Sequence, residues 1–194
     1  MRLAFLVFLT LSIALALGGW TAKLALEESS EIGTVRVGPW NAKPFAGAPG
    51  ADPYSKAFLS RVGNLTLGIG EGIVFLAERD SAGAELRREC NYRIEGQTPL
   101  ARVFTLVPYT DDGRLIQPGE GRAGWLLSGD LLRAEDNGFR IALGPQARPG
   151  NWLATAGDGG FILALTLYDT PASSASGVAS LALPTIQRET CVNG

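Results

Sequence analysis

Met1-Arg2 is followed by LAFLVFLTLSIALALGGWTA, an uncharged run of about 20 residues from Leu3 to Ala22. A helix of that length rises about 30 Å, the hydrocarbon thickness of a bilayer. Arg2 precedes the run, while Glu27, Glu28 and Glu31 outweigh Lys23 behind it. The positive-inside bias then sends the rest of the chain to the outer side. The sequence predicts a signal anchor or transmembrane helix over residues 1–26, with Trp20 at headgroup depth. The competing reading is a cleaved signal peptide, with an apolar region from Leu3 to Ile13 and Ala14-Leu15-Ala16 as cleavage site. It would release a secreted or periplasmic chain. Apolar character running on past Ala16 favours the anchor.

Export narrows what the remainder can do. Setting Arg2 and Lys23 aside leaves 15 basic against 19 acidic side chains. The arginines are scattered, with only Arg87-Arg88 adjacent, which argues against a nucleic acid partner. The chain has no histidine, so it lacks the usual base of hydrolytic triads and the commonest zinc ligand. Two cysteines form no CxxC pair and leave room for one disulfide. No metal site and no cofactor are expected.

Residues 27–52 read as an extended linker, since GPWNAKPFAGAPGADP at 38–53 holds four prolines and three glycines. Residues 53–194 read as one domain. Tyr54 to Val62 suits a short helix, with Asp52 as N-cap, Pro53 at the first helical position and Gly63 at the C-terminus. From Ile73 onward short apolar runs alternate with turn residues. Ile73–Arg79 is expected to pair with Ala84–Ile94 across Asp80-Ser81-Ala82-Gly83, and Arg102–Tyr109 to turn at Asp111-Asp112-Gly113 towards Arg114–Ile116. Leu131–Ala134 turns at Asp136-Asn137-Gly138 into Phe139–Leu143, where Asn-Gly is a strong hairpin signal. Trp152–Thr155 turns at Gly157-Asp158-Gly159-Gly160 into Phe161–Tyr168, and a last strand lies near Thr185–Glu189. Eight or nine short strands with few helices predict a mainly β, antiparallel β-sandwich or jelly-roll-like domain. Phe161, Leu163, Leu165 and Leu167 should share one face of a central strand.

Cys90 falls in a predicted strand and Cys191 near the C-terminus. Outside the cytoplasm a disulfide between them is the favoured reading, and the chain-entropy model gives it roughly 4–5 kcal/mol for a loop of about 100 residues.

Gly38-Pro39-Trp40, Asp52-Pro53-Tyr54 with Lys56-Ala57, Glu71, Ala77 with Asp80 and Gly83, Cys90 and Tyr92, Ala101-Arg102, Gly150-Asn151-Trp152-Leu153, Leu165-Thr166-Leu167-Tyr168-Asp169 and Leu183-Pro184 follow one another in a familiar order. The chain resembles, over roughly residues 30–194, the bacterial family called domain of unknown function 1214. The resemblance implies a mainly β, jelly-roll-like domain, either alone behind an N-terminal membrane segment or at the C-terminus of longer proteins after another uncharacterised domain. It implies no established activity and supplies no catalytic residue. Val103-Phe104 stands where the family commonly has an aromatic pair, and Ala154 where it commonly has a proline. With a bacterial source implied, the address becomes the inner membrane, single-pass, with the domain on the periplasmic side.

Glu71, Glu78 and Asp80 are the acids nearest one another in a strand-and-turn context. Paired carboxylates run glycoside hydrolysis without histidine, although a solvated strand position for Glu78 and an ordinary turn role for Asp80 are the favoured explanation. The Gly-rich LGIGEG at 67–72 lacks the Lys-Ser/Thr of a P-loop. Asn64-Leu65-Thr66 matches a glycosylation acceptor. Trp40, Tyr54, Trp125 and Trp152 lie in or beside loops, where amphipathic rings stack on a sugar or a partner chain; the structural reading is that Trp40 and Trp152 plug the sandwich ends. The leading expectation is a membrane-anchored, non-catalytic binding or structural module facing an envelope protein or a glycan. The alternative is a carboxylate-dependent envelope enzyme acting on glycan.

Overall fold

The computed structural model describes residues 2–28, 33–48, 50–62, 67–68, 70–173 and 181–191. They fall into a helical unit, spanning residues 1–34 and 45–66, and a β unit, spanning 35–44 and 67–194. In the helical unit α1 runs Arg2–Glu28. Its apolar part, Arg2–Ala25, is 24 residues long with no residue buried, so it rises about 36 Å and is long enough to cross a bilayer core. The hydroxyls inside that span are satisfied by the helix itself. Thr10 Oγ1 donates to Val7 O and Thr21 Oγ1 to Leu17 O, both at 2.9 Å, which removes their cost in an apolar solvent.

The second helix, α2 (Pro53–Val62), starts as its sequence predicts. Asp52 Oδ1 accepts from Ser55 N at 2.9 Å and Oδ2 from Ser55 Oγ at 2.5 Å, satisfying an amide that the first turn leaves orphaned. Gly63 and Asn64-Leu65-Thr66 lie outside the described residues.

Among the described residues the β unit holds ten strands in two sheets. The six-stranded sheet has the order β1 (Val35–Val37), β2 (Trp40–Ala42), β3 (Gly72–Ala77), β9 (Phe161–Tyr168), β5 (Val103–Thr110), β6 (Leu126–Leu127). The four-stranded sheet has the order β10 (Thr185–Cys191), β4 (Cys90–Gly96), β7 (Phe139–Gly144), β8 (Asn151–Ala154). Phe75, Leu106, Leu163 and Leu165 from the first sheet and Ile94, Ile141, Leu143, Leu153 and Ile186 from the second form one buried cluster. Rings cross the gap between sheets: Tyr92 meets Phe161 edge-on at 6.0 Å, and Phe104 meets Phe139 at 5.6 Å. The unit is a mainly β sandwich, and β9 is central as expected, with Phe161, Leu163, Leu165 and Leu167 buried.

Three features differ from the sequence expectation. The stretch read as an extended linker contains the hairpin β1–β2, with Val37 paired to Trp40 across Gly38-Pro39. Gly38 takes φ +58°, a left-handed value glycine tolerates, and the ladder continues from β2 to β3. Second, two expected hairpins are crossings between sheets. β3 pairs with β2 and β9, while β4 pairs with β10 and β7; likewise β8 and β9 lie in different sheets. Only an isolated bridge, Arg79 with Glu85, remains of the first hairpin. Turn chemistry reports that the chain reverses, not which partner the returning strand chooses.

The third difference is that β7 and β8 are parallel, with Ile141 opposite Asn151. Parallel neighbours ordinarily need a crossover of a dozen or more residues, whereas only residues 145–150 connect these two. Gly144 makes the tight departure possible: at φ +156°, a Cβ there would lie 2.5 Å from Asn91 Oδ1. Asn151 holds the returning end. Its Nδ2 donates to Leu132 O at 2.8 Å and Arg140 O at 3.0 Å, and its Oδ1 accepts from Leu132 N at 2.8 Å.

Candidate functional site

The four aromatic candidates have different fates. Trp40 is fully buried, and its Nε1 donates to Pro184 O at 2.7 Å. It is a core residue that ties β2 to the segment entering β10, so no ring face is left for a ligand, contrary to its reading as a loop aromatic. Tyr54 belongs to α2 in the helical unit, and its side chain lies outside the described residues. Trp125 is 58% exposed just before β6. Trp152 is half-buried on β8, its Nε1 donating to Gly144 O at 3.2 Å. Ala154 N donates to Ala123 O at 2.8 Å, which brings the segment carrying Trp125 alongside β8.

Trp152 opens a continuous row of side chains. Its register partner on β7 is Ala142, Ala142 pairs with Arg93 on β4, and Arg93 pairs with Gln187 on β10. The neighbours in sequence, Leu143, Leu153 and Ile94, are buried in the core. Strand alternation therefore turns the Trp152 row to the outer face of the four-stranded sheet. Two interstrand spacings separate Trp152 from Arg93, about 9.6 Å, with only a methyl group between them.

Five charges alternate across this face. Arg140 Nη2 lies 2.9 Å from Glu95 Oε1, and Glu95 Oε2 lies 3.8 Å from Arg93 Nε. Arg93 Nε is also 3.6 Å from Glu189 Oε1, and Glu189 Oε2 is 3.8 Å from Arg148 Nη1. The hydrogen bond from Arg140 is the main reason the Glu95 carboxyl sits below the ordinary carboxylate range. The other three contacts have ion-pair distances only, and pairs this exposed contribute about 0–1 kcal/mol each. Arg93 Nε is shut off from solvent without a hydrogen bond; Arg93 Nη2 donates to Gln187 Oε1 at 3.1 Å. Beside the row on β4, buried Asn91 donates to Thr190 Oγ1 at 3.1 Å. None of these side chains except Trp152 was singled out in the sequence, because only the register places Arg93, Arg140 and Glu189 on one face.

The three suspected carboxylates are not brought together. Glu71 precedes β3 and Glu78 follows it, and seven residues of extended chain put them roughly 23 Å apart, well beyond the ~5–10 Å of paired glycosidase carboxylates. The Glu71 Oε2 accepts from Gly68 N at 2.9 Å. Asp80 is 4% exposed and shapes the turn after β3, its Oδ1 accepting from Ala82 N at 3.0 Å and Ala84 N at 2.9 Å. Glu78 is exposed, so it does not share a face with Asp80 as strand alternation would require. Glu78 instead lines a shallow groove of about 320 Å³ with Arg79, Glu85, Asp111 and Phe161. Among the described residues no group of three His, Cys, Asp or Glu is placed to hold a metal ion.

Cys90 and Cys191 form a disulfide at paired register positions of β4 and β10. It lies beyond the register shift between Arg188 and Thr190, so it fastens the last residues of β10 where the ladder is interrupted.

The crystal structure of the VPA0106 protein from Vibrio parahaemolyticus is similar in fold, with TM-score 0.59 and 17% identity over 73% of this chain and 36% of that one. An uncharacterized protein from Burkholderia cenocepacia is 19% identical over 76% of this chain and 45% of that one, with TM-score 0.45. The chain thus spans less than half the length of either. The first likeness supports the two-sheet architecture alone. No curated protein matches the chain. Residues 71–172 match the family described as "Protein of unknown function (DUF1214)", and the chain belongs to that family.

Proposed function

We propose that this chain is a non-catalytic binding module held in the bacterial inner membrane by α1, with its β unit on the periplasmic side. Two features support the address. The α1 span is long enough to cross a bilayer, and a disulfide suits an oxidising compartment. Binding takes place on the outer face of the four-stranded sheet. The observation that carries this reading is the row Trp152, Ala142, Arg93, Gln187: an oriented indole beside a methyl shelf and a guanidinium whose side chain is 40% exposed. Such faces bind extended partners, since rings with a fixed orientation lose little entropy on contact. The acids that an enzyme would need serve the turn at Asp80 and the loop at Glu71.

A photoreactive residue at position 142 tests the reading in living cells. It should yield envelope adducts, whereas one at position 105, on the outer face of the other sheet, should not. Adducts confined to position 105 would favour instead a docking partner for the six-stranded sheet, where Val74, Leu76, Val107 and Ile162 face outward.

A further inference from the structure

The binding face carries more chemical information than its position. We infer that its ligand is an anionic polysaccharide, with a sugar ring on Trp152 and a carboxylate substituent taken by Arg93; this rests on the reading of that face as the binding surface.

The face is an open sheet surface, and the groove lined by Glu78 and Asp111 lies elsewhere. An open face that presents its contacts along a row suits a polymer strand better than a small enclosed molecule. The indole is positioned by its own hydrogen bond to Gly144 O, and indole surfaces pack against the apolar face of a ring.

Charge selects among polymers. The face bears Arg93, Arg140 and Arg148 against Glu95 and Glu189, an excess of one positive charge. The whole chain has a net charge of −2. The positive excess is therefore local to this face, and both ends of the alternating chain are arginines. Arg140 and Arg148 keep 66% and 42% of their side-chain surface exposed.

The guanidinium at the centre is under-used. It carries five N–H donors: Nε is shut off from solvent between Glu95 and Glu189 at 3.6–3.8 Å, whereas the side chain as a whole is 40% exposed and Nη2 donates to Gln187 Oε1, which leaves donors on the two terminal nitrogens for a ligand. A ligand carboxylate arriving along the Trp152 row offers the paired acceptors that a guanidinium fork fits. Glu95 and Glu189 would remain with Arg140 and Arg148. A neutral glycan could use the indole and offer Arg93 hydroxyl oxygens, but not the paired, charged acceptors of a carboxylate.

Affinity electrophoresis of the full-length chain in a non-ionic, non-glycosidic detergent tests this, with polygalacturonate and its fully methyl-esterified form as probes. The two polymers share a backbone and differ in charge. Polygalacturonate should retard the chain, at least tenfold more strongly than the ester, and the retardation should weaken as salt rises. Arg93→Gln and Trp152→Ala should each weaken it at least fivefold. Ala142→Glu, a change outside the core, should abolish it and guards against a folding defect in the other two. Equal retardation by ester and acid, still lost in Trp152→Ala, would overturn the anionic selectivity while leaving the binding face intact. No retardation by either polymer would overturn the inference. Adducts at position 142 that prove to be polypeptide would overturn it as well, again without touching the location of the face.

Discussion

Arg188 Nε lies 3.3 Å from the buried Oδ2 of Asp80, joining the last strand to the turn that follows β3. Arg188 also donates through Nη2 to Glu85 O and stands 5.5 Å over the ring of Tyr92. Ser81 adds two bonds to the same junction: its amide donates to Ile186 O at 2.8 Å, and its Oγ accepts from Ile186 N at 2.9 Å. The turn thus clamps β10 against the sandwich. Asp80→Ala removes the acceptor for two amides as well as the arginine's partner, and should cost about 2–4 kcal/mol. Asp80→Asn keeps an acceptor and should cost about half as much. Urea midpoints of the three chains check the order.

Asn151 is the second structural keystone. Its side chain makes three hydrogen bonds at the re-entry of a parallel connection only six residues long. Asn151→Ala should destabilise the β unit by about 2–3 kcal/mol and loosen β8, raising amide exchange at Trp152 and Leu153. Unchanged exchange there would show that the short crossover is held by other means.

The disulfide sets a third expectation. Cys90 and Cys191 are 101 residues apart in sequence, so Cys191→Ser should lower stability by about 2–5 kcal/mol. Because the bridge lies beyond the register shift in β10, exchange protection should fall first at Thr190 and persist at Ile186, which is buried.

Acid should weaken the junction between β4 and the Gly157–Gly160 turn. Glu89 accepts from Arg87 Nε at 2.5 Å and from Gly159 N at 3.1 Å. The hydrogen bond from Arg87 is the first reason its carboxyl lies below the ordinary range. A depressed folded-state value stabilises above the unfolded value, and that stability is lost as pH falls through the folded one. Stability should therefore decline below about pH 4.5, and Glu89→Gln should flatten that decline. Thermal melts of both chains between pH 3 and 6 check it.

Much of the fold was legible in the sequence where one rule decides the outcome. Alternation in Phe161–Tyr168 gave the buried face of β9, and Asp52-Pro53 gave the start of α2, because both are local. The hairpin at Val35–Ala42 is hidden by the prolines and glycines crowded into residues 38–53, whose density reads as linker although Gly38-Pro39 forms a turn. Strand partners depart from the hairpin expectation at Asp80–Gly83 and Gly157–Gly160, since a reversal within a sheet and one between sheets use the same residues. Trp152 was visible as a loop-side aromatic. Its companions Arg93 and Gln187 come from strands 59 and 35 residues away in number, by the spacing of 152, 93 and 187, and nothing local marks them. Trp40 carried the same local signal as Trp152, and only the closure of β2 against β3 decided that it belongs to the core.

The intact mass of the chain recovered from alkali-washed membranes, without reduction, tests the central claim of an anchored, exported module most directly. The account predicts a pelleted chain that retains α1 and is lighter by about two hydrogens than its reduced form, as one disulfide requires. A chain found in the soluble fraction and beginning near Leu17, or a pelleted chain with both cysteines reduced, would contradict it.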